Sequence, residues 1–144
     1  MNIVANPVVE VDQTVYLKDY QKPSFLVDSV DLDIQVFDDK TYVTAKLVMQ
    51  RQTAGDLVLL GRDLELKSIA LNGQALAEDA YTLDTEQLVI ANAPDQVIIE
   101  TQVLIHPETN TQLEGLYQAS GDLFVTQNEP EGFRKITFYP DRPD

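Results

Sequence analysis

The stretch VDLDIQVFDDKTYVTAKLVM, residues 30–49, decides the fold. Val30, Leu32, Ile34 and Val36 alternate with Asp31, Asp33 and Gln35, so an extended chain here carries one apolar and one polar face. FDDK at 37–40 supplies turn formers. Beyond it Val43, Ala45, Leu47 and Met49 fall on one face, with Thr44 and Lys46 on the other. The spacing predicts a β-hairpin whose apolar side is turned to a core.

The same period continues downstream. An apolar run at 57–60 lies between Gly55 and Gly61, and Leu64, Leu66, Ile69 and Leu71 lead in extended stretches to Asn72-Gly73. Asn-Gly accepts positive φ at both positions of a type I′ turn and so predicts a second hairpin. Leu76, Tyr81, Leu83, Leu88, Val89 and Ile90 supply further short strands before the break at Ala93-Pro94-Asp95. Val97, Ile99, Thr101, Val103 and Ile105 then share one face of a long strand, which His106-Pro107 ends because the residue before proline is restricted. Roughly seven short strands with no helical period predict an all-β fold, an antiparallel β-sandwich or barrel. Residues 1–15 have no strong pattern and read as an extended or disordered arm, leaving 16–144 as one β-domain.

Composition excludes several functions. The chain of 144 residues has 24 acidic and 10 basic side chains, a formal charge of −14, which repels phosphate backbones and anionic headgroups. Neither a nucleic-acid nor a membrane partner is expected. The acids are dispersed as a solvated surface, which permits attraction of cationic peptides or amines without demonstrating it. There is no cysteine, hence no disulfide, thiolate or Cys-based zinc site. MNIVANPVVEVDQ at 1–13 has no basic stretch and no continuous apolar run, so it does not read as a secretory signal, and a cytoplasmic location is expected.

The inventory also sorts the chemistry. A catalytic zinc takes about three protein ligands, usually His with a carboxylate, and this chain has one histidine, His106, read as structural or solvent-facing. Ser120 precedes Gly121-Asp122 and reads as a turn, not a nucleophile elbow. Asp31 and Asp33, near Asp28, fall on one exposed strand face, unlike a loop that wraps calcium. Carboxylate pairs for glycoside chemistry could be drawn in many ways and carry no specificity. No catalytic residue and no metal ligand is assigned in the chain.

The residues that resist this sorting are TQNEPEGFRKITFYPDRPD, 126–144. Gln127 and Glu129 follow the apolar Leu123, Phe124 and Val125, at or just beyond a strand end, and share a face if the segment is extended. Two acceptors facing one way can hold a cation. Equally, they can dress a loop, with Glu129 or Glu131 paired at the surface to Arg134 or Lys135 for under about 1 kcal/mol. The residues alone leave both readings open.

LEGLYQASGDLFVTQNEPEGFRKITFYPDRPD at 113–144 resembles the N-terminal domain of zinc aminopeptidases of the aminopeptidase N type, whose pattern there is LEGLY, a short Ser-Gly segment, then TQ-x-E-x-EGFR-x-IT-x-Y-x-DRPD. YLKDYQKP at 16–23 is similar to the family's opening, and the strand series agrees with its β-domain. Asn128 and Pro130 stand where family members often have Cys and Ala, and the loop between Tyr117 and Thr126 is one residue longer. The resemblance implies a saddle-like N-terminal β-domain, incomplete at its C-terminal end, of an enzyme that removes the first residue of peptides. It implies that Glu129 helps hold the substrate's α-ammonium and that Gln127 lines the pocket beside the first substrate residue. Its partners would be a peptide N-terminus and a downstream catalytic domain of the same parent chain. Zinc is expected in that domain with H-E-x-x-H, which is absent here, so the piece is expected to be inactive alone. Two alternatives stand beside this: a non-catalytic scaffold relative, and an unrelated β-sandwich binding module.

Overall fold

The structure, a computed structural model, describes residues 14–143; apart from Thr14 and Val15, the arm expected at 1–15 lies outside the described residues. β1 (Phe25–Phe37) and β2 (Lys40–Arg51) form the hairpin read from the alternation, joined by the turn at 38–39. β3 (Leu57–Leu60) is bounded by the two glycines. β4 (Glu65–Leu71) and β5 (Gln74–Ala75) flank Asn72-Gly73, whose φ values of 49 and 79° are those an Asn-Gly hairpin turn requires. β6 (Thr82–Leu83), β7 (Gln87–Ile90) and β8 (Gln96–Ile105) follow, then β9 (Gly115–Gln118) and β10 (Phe124–Gln127).

These strands make an antiparallel five-stranded sheet ordered β1-β2-β8-β4-β5, a three-stranded sheet β3-β7-β6 and a hairpin β10-β9. One apolar core joins them. Val43, Leu47 and Met49 of β2 and Val97, Ile99 and Val103 of β8 meet Leu57 and Leu59 of β3, Leu88 and Ile90 of β7, and Leu116, Ile136 and Phe138. Each such buried side chain stabilises the fold by about 1.5–3 kcal/mol relative to exposure.

Ten strands are found among the described residues where about seven were expected. β5 and β6 are two residues each, too short for a period-two signal. β4 departs from strict alternation because its register shifts between Leu66 and Ser68, which lets Leu66 opposite Val103 and Ile69 opposite Thr101 face the same side.

The expected dry face of β1 is not dry. Val30, Leu32, Ile34 and Val36 pair with Leu47, Ala45, Val43 and Thr41 and so share the core side of the sheet, yet they remain 38–43% exposed. Only Phe25 of β1 is buried, with Val27 partly so. The second layer covers β2 and β8 and leaves β1 overhanging.

Candidate functional site

Extended backbone stops at Gln127, the last residue of β10, opposite Gly115 of β9. The chain then turns: the Gly132 N–H donates to the Asn128 carbonyl at 2.8 Å, and a 3₁₀ turn, Phe133–Lys135, follows. Gln127 and Glu129 are therefore brought together by a turn rather than by strand alternation. The Gln127 side-chain amide reaches the Glu129 carbonyl at 3.4 Å, and both residues are exposed. The Glu129-Pro130 bond is cis.

Two glycines make this turn possible. A Cβ on Gly132 would lie 2.2 Å from the Gln127 carbonyl oxygen and 2.9 Å from the Gly115 nitrogen. One on Gly115, at φ 71°, would lie 2.8 Å from the Lys135 Cβ. The end of β10, the start of β9 and the 3₁₀ turn pack backbone to backbone because neither position has a side chain.

Charge fixes the turn from behind. The Arg134 Nε donates to Asp141 Oδ2 at 2.7 Å, its Nη2 to the Asp141 carbonyl at 3.1 Å, and its backbone N–H to Oδ2 at 3.2 Å. Both side chains are 11% exposed, and Glu131 lies 3.6 Å from the same guanidinium. Lys135 is buried, its Nζ donating to Gln112 and, at 3.3 Å, to Asp63, with Glu114 at 3.8 Å. Phe133 packs edge-on to Tyr139 at 4.9 Å between ring centroids. Of the surface pairings considered from the sequence, Glu131 with Arg134 forms. Among the described residues the Glu129 carboxylate has neither cation nor hydrogen-bond donor.

The remaining candidates lie elsewhere. His106 follows β8, its Nδ1 2.7 Å from Glu108 Oε1 and 3.2 Å from the Asp39 carbonyl. The Glu108 hydrogen bond raises its pKa above the ordinary histidine value. The protonated form is thus favoured by the fold; the stability this brings is present at low pH and is lost as pH rises through the raised pKa. A cleft of 320 Å³ is lined by Asp63, His106, Asn110, Gln112 and Lys135, and includes neither Gln127 nor Glu129. Ser120 and Gly121 lie between β9 and β10, where Gly121 has φ 73°. Gln127 and Glu129 are both exposed where the chain leaves β10. Arg134 reads from the sequence as a loop-fixing cation, and the structure supplies its partner, Asp141; that partner and the fit of Gly115 against Gly132 are not legible in the sequence, since both depend on which segments meet.

No family model matches the chain. Aminopeptidase N of Caulobacter vibrioides is 44% identical over 138 residues, which is 94% of this chain and 16% of that protein. The crystal structure of Legionella pneumophila aminopeptidase A in complex with aspartic acid superposes with a TM-score of 0.80 at 34% identity, covering 89% of this chain and 16% of that one. An M1 zinc metallopeptidase from Deinococcus radiodurans shares the fold at 18% identity, with a TM-score of 0.69 over 85% of this chain and 30% of its own. The chain spans about one sixth of the length of the curated relative it matches.

Proposed function

We propose that this chain, which corresponds to the N-terminal β-domain of aminopeptidase N-type proteins, supplies the part of a substrate pocket that receives the free α-ammonium of a peptide. Glu129 is the anion of this half-site, and Gln127 lines it beside the first substrate residue. The observation that supports the reading most is how the neighbouring charges are satisfied. Arg134 is held by Asp141 and Lys135 by Asp63, so Glu129 is left as an unneutralised acceptor on a pinned turn.

A carboxylate placed in this way forms a charge-assisted hydrogen bond with an ammonium. An acylated amine leaves that carboxylate unpaired once the pocket closes over it, and such a peptide is rejected. The opposite wall belongs to a catalytic domain elsewhere in the parent protein. Zinc belongs there as well: this chain has one histidine and, among the described residues, no group of three or more side chains able to hold a metal. Bound in that domain, zinc would activate a water and polarise the scissile carbonyl. The residues of this chain bind and orient the substrate end.

The test uses the full-length parent with zinc. It is expected to hydrolyse an alanyl chromogenic amide and to leave the N-acetyl counterpart intact, while the 144-residue chain hydrolyses neither. A parent that turns over both substrates equally, or neither, overturns the reading. Loss of both would favour the zinc-free scaffold instead.

A further inference from the structure

We propose that Asn72 is a modification site that the fold keeps shut. Its deamidation through a cyclic imide with Gly73 is blocked by two hydrogen bonds that hold the side-chain amide against β8, and it proceeds only when the end of β4 parts from that strand.

Asn72 alone among the asparagines of the chain precedes a glycine, which leaves its backbone nitrogen unhindered for attack. In the reaction the Gly73 nitrogen bonds to the Asn72 Cγ, the Cγ–Nδ2 bond breaks, and ammonia leaves with the Gly73 amide proton. Water then opens the imide at either carbonyl, giving aspartate or isoaspartate. No oxidant or cofactor enters.

Crowding does not protect the pair. Both residues are exposed, and nothing lies within 4 Å of where a Cβ on Gly73 would stand. β5 has two residues and forms the edge of its sheet, so the hairpin side resists opening little. The hold comes from β8, which is flanked by β2 and β4. The Asn72 Oδ1 accepts the Ile98 N–H at 2.7 Å, and its Nδ2 donates more loosely to the Gln96 carbonyl at 3.4 Å. Its backbone N–H donates to the Ile98 carbonyl at 2.8 Å. The β4–β8 register ends with Leu71 opposite Ile99, and the chain turns away at Asn72, φ 49°. The side-chain carbonyl thus stands in for the backbone acceptor of the next rung. An amide carried across to β8 keeps its Cγ from the Gly73 nitrogen.

Once made, the change does not reverse. Deamidation to aspartate replaces the Nδ2 donor with a carboxylate oxygen facing the Gln96 carbonyl and adds one negative charge to the existing −14. Isoaspartate routes the main chain through Cβ, which is incompatible with a two-residue type I′ turn.

Two rates measured on the full-length parent protein test this. Deamidation at residue 72 is followed in mildly alkaline buffer by peptide mapping that separates the asparagine, aspartate and isoaspartate forms. Exchange of the Ile98 amide is read by fragmentation mass spectrometry. Asn72 is expected to deamidate at least about tenfold more slowly than in the free peptide SIALNGQAL, residues 68–76, and to be slowed by about the same factor as the Ile98 amide is protected, since one opening exposes both. Leu71→Ala, which thins the last β4–β8 pair, is expected to raise the two rates together. Native deamidation at the rate of the free peptide overturns the proposal. So does slow deamidation beside a freely exchanging Ile98 amide, which would assign the protection to the backbone of the turn instead of the side-chain lock.

Discussion

Replacing Glu129 with Ala in the full-length parent is expected to lower kcat/KM for free-amine substrates by about 1.5–3 kcal/mol, the usual worth of a hydrogen bond to a charged group. That corresponds to roughly a 10- to 150-fold loss. The expectation follows from how the turn is built. Glu129 sits on a segment fixed by the Gly132-to-Asn128 hydrogen bond and by the Arg134–Asp141 clasp, so the carboxylate is presented without a cation of its own. The backbone that carries the carboxylate is already ordered when an ammonium arrives, so the cost of binding falls mainly on the Glu129 side chain. Because Glu129 is exposed, the substitution leaves the domain folded, and thermal unfolding should match the unsubstituted protein. Kinetics no worse than those of an exposed control such as Glu78→Ala would remove Glu129 from the site.

Phe138→Ala is expected to destabilise the domain by about 3–5 kcal/mol, seen as a fall in the urea midpoint at unchanged slope. Phe138 is 2% exposed, and its ring presses on Gly61, where an added Cβ would lie 2.4 Å from two ring carbons. The next residue, Tyr139, exchanges backbone hydrogen bonds with Leu60 of β3 at 2.8 and 3.0 Å. Removing the ring opens a cavity beneath this bridge, and the backbone on both sides is too closely fitted to collapse into it. Since residues 133–141 also contain the clasp behind Glu129, this core position links the stability of the domain to the geometry of the half-site. A loss below about 1 kcal/mol would show that the C-terminal segment is not anchored through Phe138.

Much of the sheet was legible because period two is a local signal. The β1–β2 hairpin, the Asn72-Gly73 turn and the buried face of β8 all follow from residues next to each other in sequence. What could not be read is what covers a face once it is made. Val30 and Val43 carry the same apolar signal, yet Val43 is buried at 0% and Val30 is 40% exposed, because the second layer reaches β2 and stops short of β1. The site shows the same division. Gln127 and Glu129 were visible as acceptors at a strand end, but the turn that brings them together depends on Gly132 fitting against Gly115, seventeen positions apart in the numbering. The clasp joins Arg134 to Asp141 across a 3₁₀ turn with no sequence period to announce it.

The central claim, that Glu129 grips the free amine of the substrate, is tested most directly by a two-by-two inhibition cycle on the full-length protein. Leucine hydroxamate and 4-methylpentanohydroxamic acid share a skeleton and differ in the α-amine; their inhibition constants are measured for the unsubstituted protein and for Glu129→Ala. The account predicts a preference for the amine-bearing inhibitor that Glu129→Ala reduces by about tenfold or more, a coupling of at least about 1.4 kcal/mol. An equal preference in both proteins, however weakly each inhibitor binds, would contradict it.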